Sequence, residues 1–459
     1  MRRRKADLSR RVNGDLHVEF SATGLTSYAG LELFSRYLRA IEFNKLLRQH
    51  LAGAGVCGDF GLVSMVRLLI ALLVVGGRRL HHVAFLNHDP LVLRFCALAD
   101  LPAVHTVSRW LKRFTEASLQ RLRALNAAVV ARAITRLPLA TLTINVDGTV
   151  NSTGLKVERA FRGFNPHQRK VPSYYPITAH VAETGHILRV KNRSGDVHDG
   201  KKSIGFLRDL FTQVAATLGH HYRLNFRLDG AFFLREIFQL LETRAAGYAI
   251  KVPFWRWLDL QSLIRARLRW QRLDAEVDAF EQQIALEKWA LTLRVAIYRK
   301  RVQHRTRKNY QLDMFDPANG TYEYSAVATN LTLDPRRLWH FMCGRGAHEK
   351  AIGELKTGLA FDTIPTNHYG ANSAWQQLVV LTHNLLTNFQ IETDAPRRPR
   401  SRKRTTLFVL KSIRTLRFEL FNRAGEIVKP AGTTILRLAR NATTEALFHR
   451  IAHALGQAA

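Results

Sequence analysis

Cysteine is nearly missing from this chain: three in 459 residues, Cys57, Cys96 and Cys343, scattered and without a CxxC pair. That argues against a disulfide framework or a thiolate zinc site and points to a reducing compartment. Long apolar runs are missing too. The longest, LVSMVRLLIALLVV at 62–75, is too short to span a bilayer and carries Arg67 inside it, so it reads as a buried helix. The basic stretch MRRRKADLSRRVNGDL at the N-terminus has no apolar run after it, so no signal peptide is expected. No internal repeat is apparent. Acidic residues are few: 36 Asp and Glu face 69 Lys and Arg, a formal net charge of +33. That excess suits a polyanionic partner, although ribosome-associated and membrane-surface proteins reach it as well. With 46% apolar residues the chain can build real cores, and its length favours two to four domains.

Periodicity divides what is there. Residues 1–140 read as mostly helical. Within them, DPLVLRFCALADLPAVHTVSRWLKRF (89–114) has the outline of two short helices joined by a Pro-containing turn. The second offers Arg109, Lys112 and Arg113 on its polar side, as a helix-turn-helix meeting DNA would. A plain amphipathic hairpin with a basic outer face gives the same pattern. From 141 the chain alternates: TLTINVD reads as a strand, and YYPITAHV and HILRVKNRSG read as a hairpin around Glu183-Thr184-Gly185. A helix at 202–219, a strand YRLNFRLD at 222–229, a helix at 234–247 and a strand YAIKVP complete the run to 253. Three strands, then helix, strand, helix, strand is the ribonuclease-H order. Its first and fourth strands are neighbours, which sets Asp147 and Asp229 side by side at one sheet edge. Residues 254–335 read as a charged helical stretch, LQSLIRARLRWQRLDAEVDAFEQQI, followed by strands, forming a mainly β insertion. Residues 336–395 return to helix, and 396–459 open on the cationic PRRPRSRKR before short strands and a last helix. The expected fold is therefore α/β: a ribonuclease-H-like catalytic core interrupted by a β insertion, with a helical N-terminal DNA-binding region.

The stretch FMCGRGAHEKAIGELK (341–356) carries the chemistry. On a helix starting at Asp334-Pro335, Arg345, Glu349 and Lys356 fall on one face, a carboxylate between two cations. Taken alone this is a solvated ion pair; Asp147-Gly148 and Asp229-Gly230, taken alone, are strand-end turns. Together the three acids match a site for two divalent ions, one activating water and one stabilising the leaving oxygen of a phosphodiester. His348-Glu349 begins like a zinc-protease HExxH, but position 352 is Ile, so that reading fails.

Taken with NVDGTV, LDGAFFLREI, GFNPHQRKVPSYYP and GRGAHEKAIGELKTGLAFDTIP, the chain resembles the DDE transposases of bacterial insertion sequences over roughly residues 20–440. The likeness is to the branch with a β insertion and a Tyr-Arg-Glu-Lys signature. It implies Asp147, Asp229 and Glu349 as catalytic residues and ligands of two Mg²⁺ or Mn²⁺ ions, with Arg345 and Lys356 as the phosphate-contacting pair. It also implies double-stranded DNA as partner, both element ends and target, a homodimer in the synaptic complex, no membrane, and the bacterial cytoplasm at the nucleoid. The signature's Tyr is replaced by Met342. The alternatives are another ribonuclease-H-fold nuclease or an inactive DNA-binding derivative. His167, Arg169 and Lys170 follow Asn165-Pro166 in a loop placed to meet DNA, or simply solvated. Asp196, His198 and Asp199 read as a polar turn, Glu354 as surface charge. Trp255, Trp257, Trp270 and Trp289 read first as core, with stacking on an extruded base as the alternative.

Overall fold

The computed structural model describes residues 16–20, 23–154, 156–163, 165, 168, 170–197, 200, 202–302, 322–394, 396–399 and 405–456. A short strand β1 (Leu25–Thr26) precedes six helices: α1 (Leu31–Ala40), α2 (Phe43–Leu51), α3 (Leu62–Val75), α4 (Pro90–Cys96), α5 (Val104–Leu111) and α6 (Glu116–Ile134). The apolar run at 62–75 is α3, and Arg67 inside it is buried, donating to Ser35 Oγ at 2.8 Å. Two helix starts follow local chemistry. Asp89 caps α4 ahead of Pro90, and Thr115 and Ser118 form a reciprocal box on α6.

The sheet begins with β2 (Thr141–Gly148), followed by a small ribbon of β3 (Asn151–Ser152) and β4 (Ser173–Tyr174), then β5 (Ile177–Val181), β6 (Ile187–Lys191), α7 (Ser203–Leu218), β7 (Arg223–Leu228), α8 (Arg235–Thr243) and β8 (Gly247–Lys251). Its order is β6-β5-β2-β7-β8, antiparallel through the first three strands and parallel from β2 through β7 to β8. This is the ribonuclease-H arrangement that the element order predicts. The parallel pairing of β2 with β7 sets Asn145 beside Arg227, so the chain leaves both strands at the same end, at Asp147 and Asp229.

Beyond β8 come α9 (Leu260–Ala266), β9 (Gln271–Arg272), β10 (Val277–Leu286), β11 (Leu291–Arg301) and β12 (Tyr322–Thr329). β12 pairs with β8, so the insertion continues the same sheet to nine strands. The long charged helix expected here is confined to α9. The residues VDAFEQQIAL form β10, paired along their whole length with β11. Val277 and Ala279 pack on one face of the sheet with Leu338, while Phe280 and Leu286 pack on the other. Helix propensities differ by well under 1 kcal/mol per residue, and this two-sided burial outweighs them.

Helices α10 (Pro335–Cys343), α11 (Gly346–Leu359) and α12 (Tyr369–Thr393) follow, then α13 (Ile413–Leu416), β13 (Gly425–Val428), β14 (Ile435–Leu438) and α14 (Ala442–Ala454). Helix α12 is buried along most of its 25 residues and packs against α3, α6 and β6. Its polar side chains bond the sheet edge and α6: Asn384 accepts from Ile187 N at 2.9 Å and donates to Asn126 Oδ1 at 2.8 Å. Helices α1 to α6, α11, α12 and α14 share one hydrophobic core, and β1 pairs with β13. The helices before residue 140 are thus built onto the same core as the Glu349 helix. Among the described residues no helix is long and apolar enough to cross a membrane.

Candidate active site

Alternation in β2, β5 and β7 gives the sheet one apolar and one polar face. Leu142, Ile144, Val146, Ile177, Ala179, Phe226 and Leu228 enter the sheet's main core. Thr143, Asn145, Asp147, Thr178, His180, Arg227 and Asp229 belong to the opposite set. At the open end of that polar face stand the two Asp residues, each tied by one oxygen to its own strand end. Asp147 Oδ1 accepts from Gly148 N at 2.9 Å and Asp229 Oδ1 from Gly230 N at 2.6 Å.

The other oxygen of each meets Arg345. Arg345 Nη1 lies 2.8 Å from Asp147 Oδ2, and Nη2 lies 3.3 Å from Asp229 Oδ2 and 3.9 Å from Glu349 Oε1. One guanidinium therefore joins three acids drawn from β2, from the end of β7 and from the first turn of α11. Burial works against the charge of Arg345, but Asp229, Asp147 and Glu349 outweigh it and hold the group above its ordinary pKa. Asp334 caps α10 as expected, accepting from Arg337 N at 3.0 Å. The helix does not run on to Lys356, however: it breaks between Cys343 and Gly346, and Arg345 is the N-cap residue of α11. Among the described residues no group of three or more His, Cys, Asp or Glu is arranged to hold a metal ion.

Residues 9–459 match the family described as transposase DDE domain group 1. The chain belongs to that family. No curated protein matches it. Among solved structures, the piggyBac transposase synaptic complex with hairpin DNA, seen by cryo-EM, is similar at a TM-score of 0.44 and 10% identity, over 86% of this chain and 82% of that chain.

Beneath the acids lies a buried polar layer that the sequence reading of this transposase missed. Arg227 is fully buried; its Nε donates to Asn145 Oδ1 at 2.7 Å and its Nη1 to Phe341 O at 2.8 Å, at the end of α10. Asn145 also meets His180 Nδ1 at 3.1 Å, and His348 Nε2 meets Thr178 Oγ1 at 3.1 Å. The available signal was the pair Asn145-Val146-Asp147 and Arg227-Leu228-Asp229: a polar residue two places before each Asp must share its face.

Several buried histidines of this transposase are held neutral. Burial pushes His180 well below its ordinary pKa and brings His186 down to about 4, with His383 also lowered. Below pH 6.5 the unfolded chain binds protons that the folded one refuses, so stability is complete above that pH and falls as pH drops toward the folded pKa. At pH 5 His186 alone costs roughly 2 kcal/mol. The melting temperature should therefore hold from pH 7.5 to about pH 6.5 and fall from there to pH 5; a flat profile down to pH 5 would contradict the buried neutral state.

The remaining expected residues divide. Lys356 is half-buried and donates to Val150 O at 2.7 Å, anchoring the loop after Asp147, and burial lowers its pKa. Arg109, Lys112 and Arg113 are exposed on and just past α5, whose Trp110 Nε1 donates to Val56 O at 2.6 Å. Lys170 is exposed, and His167 and Arg169 lie outside the described residues, as do His198 and Asp199. Asp196 is exposed. Glu354 is not loose surface charge: it is half-buried and accepts from Ile413 N. Trp270 and Trp289 pack on the core, but Trp255 and Trp257 are exposed and stacked, with ring centroids 5.7 Å apart. Met342, in the signature Tyr's place, packs beside Leu338.

Proposed function

We propose that this transposase binds the terminal inverted repeats of its own element, hydrolyses the element ends and joins the freed 3′-hydroxyls to target DNA. Asp147, Asp229 and Glu349 are the proposed catalytic carboxylates. The observation that carries this reading is their meeting on Arg345, in a chain with 36 acids against 69 Lys and Arg. Three carboxylates drawn together from distant stretches carry more negative charge than one guanidinium neutralises. Such a concentration of hard oxygen donors suits Mg²⁺ or Mn²⁺, two ions of which would activate the attacking oxygen and stabilise the leaving one.

In both steps an oxygen attacks phosphorus in line. Water attacks first, freeing a 3′-hydroxyl at the element end; that hydroxyl then attacks a target phosphodiester, forming one P–O bond as another breaks. The acids would orient the reacting oxygens, and Arg345, beside them, would meet the scissile phosphate. Lys356 steadies the loop beyond Asp147. Exposed Arg109, Lys112, Arg113 and Lys170, with His167 and Arg169, are the proposed further DNA contacts. Joining two ends asks for two sites, hence a homodimer, acting in the bacterial cytoplasm at the nucleoid.

The test is an assay with end-bearing DNA, a target plasmid and Mg²⁺ or Mn²⁺. The expected result is cleavage followed by covalent joining of the 3′ ends to the plasmid. Cleavage without joining would make the chain a ribonuclease-H-fold nuclease, and binding without either would make it an inactive DNA-binding derivative.

A further inference from the structure

The acidic cluster already holds one cation of the chain itself. Arg345 places its two terminal nitrogens between Asp147 Oδ2, Asp229 Oδ2 and Glu349 Oε1, at 2.8, 3.3 and 3.9 Å. With the fork there, the carboxylates are held apart around it, and among the described residues no three ligand-type side chains close on one point. Arg345 is also placed to leave. It occupies the break between α10 and α11 rather than a helix interior, and no side chain caps that helix start. Gly346 behind it has no neighbour within 4 Å of where a Cβ would stand, and about a fifth of the Arg345 side chain is exposed. The nearby cations cannot take its place: Lys356 is bound to Val150 O, and Arg227 is buried against Asn145 and Phe341 O.

We infer that Arg345 is a built-in counter-ion of Asp147, Asp229 and Glu349, competing with divalent cations for the same oxygens, so that metal loading and the release of Arg345 toward a phosphate are one event. This rests on the proposed metal-binding role of the three acids. A competitor that binds only the metal-free state lowers apparent metal affinity by the free energy of its own contacts, and deleting it returns that affinity. The arrangement keeps the acids from repelling one another before DNA arrives, and frees the guanidinium only in the state that does chemistry.

The test is direct Mn²⁺ binding by the full chain without DNA, followed by electron paramagnetic resonance or calorimetry. Arg345→Ala and Arg345→Met, the second keeping side-chain bulk, should bind Mn²⁺ at least about tenfold more tightly than the parent, the equivalent of about 1.4 kcal/mol. The gain should vanish when Asp147→Asn is added. Without metal, both Arg345 variants should melt below the parent, and saturating Mn²⁺ should raise their melting temperature by more than it raises the parent's. If both variants bind Mn²⁺ no better than the parent while Asp147→Asn alone still abolishes binding, the competition is wrong and the metal-ligand reading stands. If Asp147→Asn binds Mn²⁺ like the parent, the metal-ligand reading falls and this inference falls with it. Should Arg345→Ala not fold, Arg345→Met and Arg345→Gln decide the comparison.

Discussion

Asp147→Ala, Asp229→Ala and Glu349→Ala should each lower end cleavage and joining on the order of a thousandfold or more, with end-DNA binding little changed. The size follows from the proposed role: two-metal stabilisation of an in-line displacement would supply several kcal/mol, and each 1.4 kcal/mol is tenfold in rate. Binding survives because affinity for duplex DNA comes mainly from cations neutralising phosphates, of which this chain has 69 Lys and Arg. Removing one carboxylate also lessens the negative charge facing the DNA. Gel-shift titrations beside single-turnover cleavage separate the two effects. Folded variants that lose binding and cleavage together would assign these acids a structural role instead.

The second large effect is at Gly344. Its φ is −64°, an ordinary helical value, so backbone freedom is not why glycine stands there. A Cβ at Gly344 would lie 2.0 Å from Arg227 Nη1 and 3.1 Å from Phe341 O. An arginine tip usually yields, but this one is fully buried and bonded on both sides, to Asn145 and to Phe341 O. Moving it leaves buried acceptors unpaired, at about 1–3 kcal/mol each. Gly344→Ala should therefore cost about 2–4 kcal/mol in chemical denaturation. It should also depress cleavage, because the next residue is Arg345. Gly346→Ala is the control: nothing stands within 4 Å of its Cβ position, and replacing Gly in a helix gains up to about 1 kcal/mol. Equal stabilities for the two variants would contradict the packing described at the break.

The sheet was legible because its signals are local. TLTINVD and NFRLD alternate, each closes on Asp-Gly, and the intervening helices carry their own periodicity, so strand order followed from element order. The meeting of Asp147, Asp229 and Glu349 was expected from that order together with the spacing at 345–349. What stayed hidden depends on partners far along the chain. The polar side of β2 and β7 would ordinarily face water; here α10 and α11 close over it, which buries Arg227 and His348. The helix expected from Asp334-Pro335 through Lys356 is interrupted between Cys343 and Gly346, and the close approach of Arg227 to Gly344 explains why glycine stands at that break. β10 carries helix-forming residues that pairing with β11 overrides. That α1 to α6 share a core with α12 and α14 is a contact between the two ends of the chain, which no local pattern encodes.

If Asp147, Asp229 and Glu349 work by holding metal, a change of ligand chemistry will show it. A thiolate is a poor ligand for Mg²⁺, which demands oxygen, and a more acceptable one for the softer Mn²⁺. Single-turnover cleavage of end-bearing DNA by Asp147→Cys should be lost in Mg²⁺ and substantially restored in Mn²⁺, while Asp147→Ala stays inactive in both. Full activity of Asp147→Cys in Mg²⁺, or the same residual rate in either ion, would contradict that role.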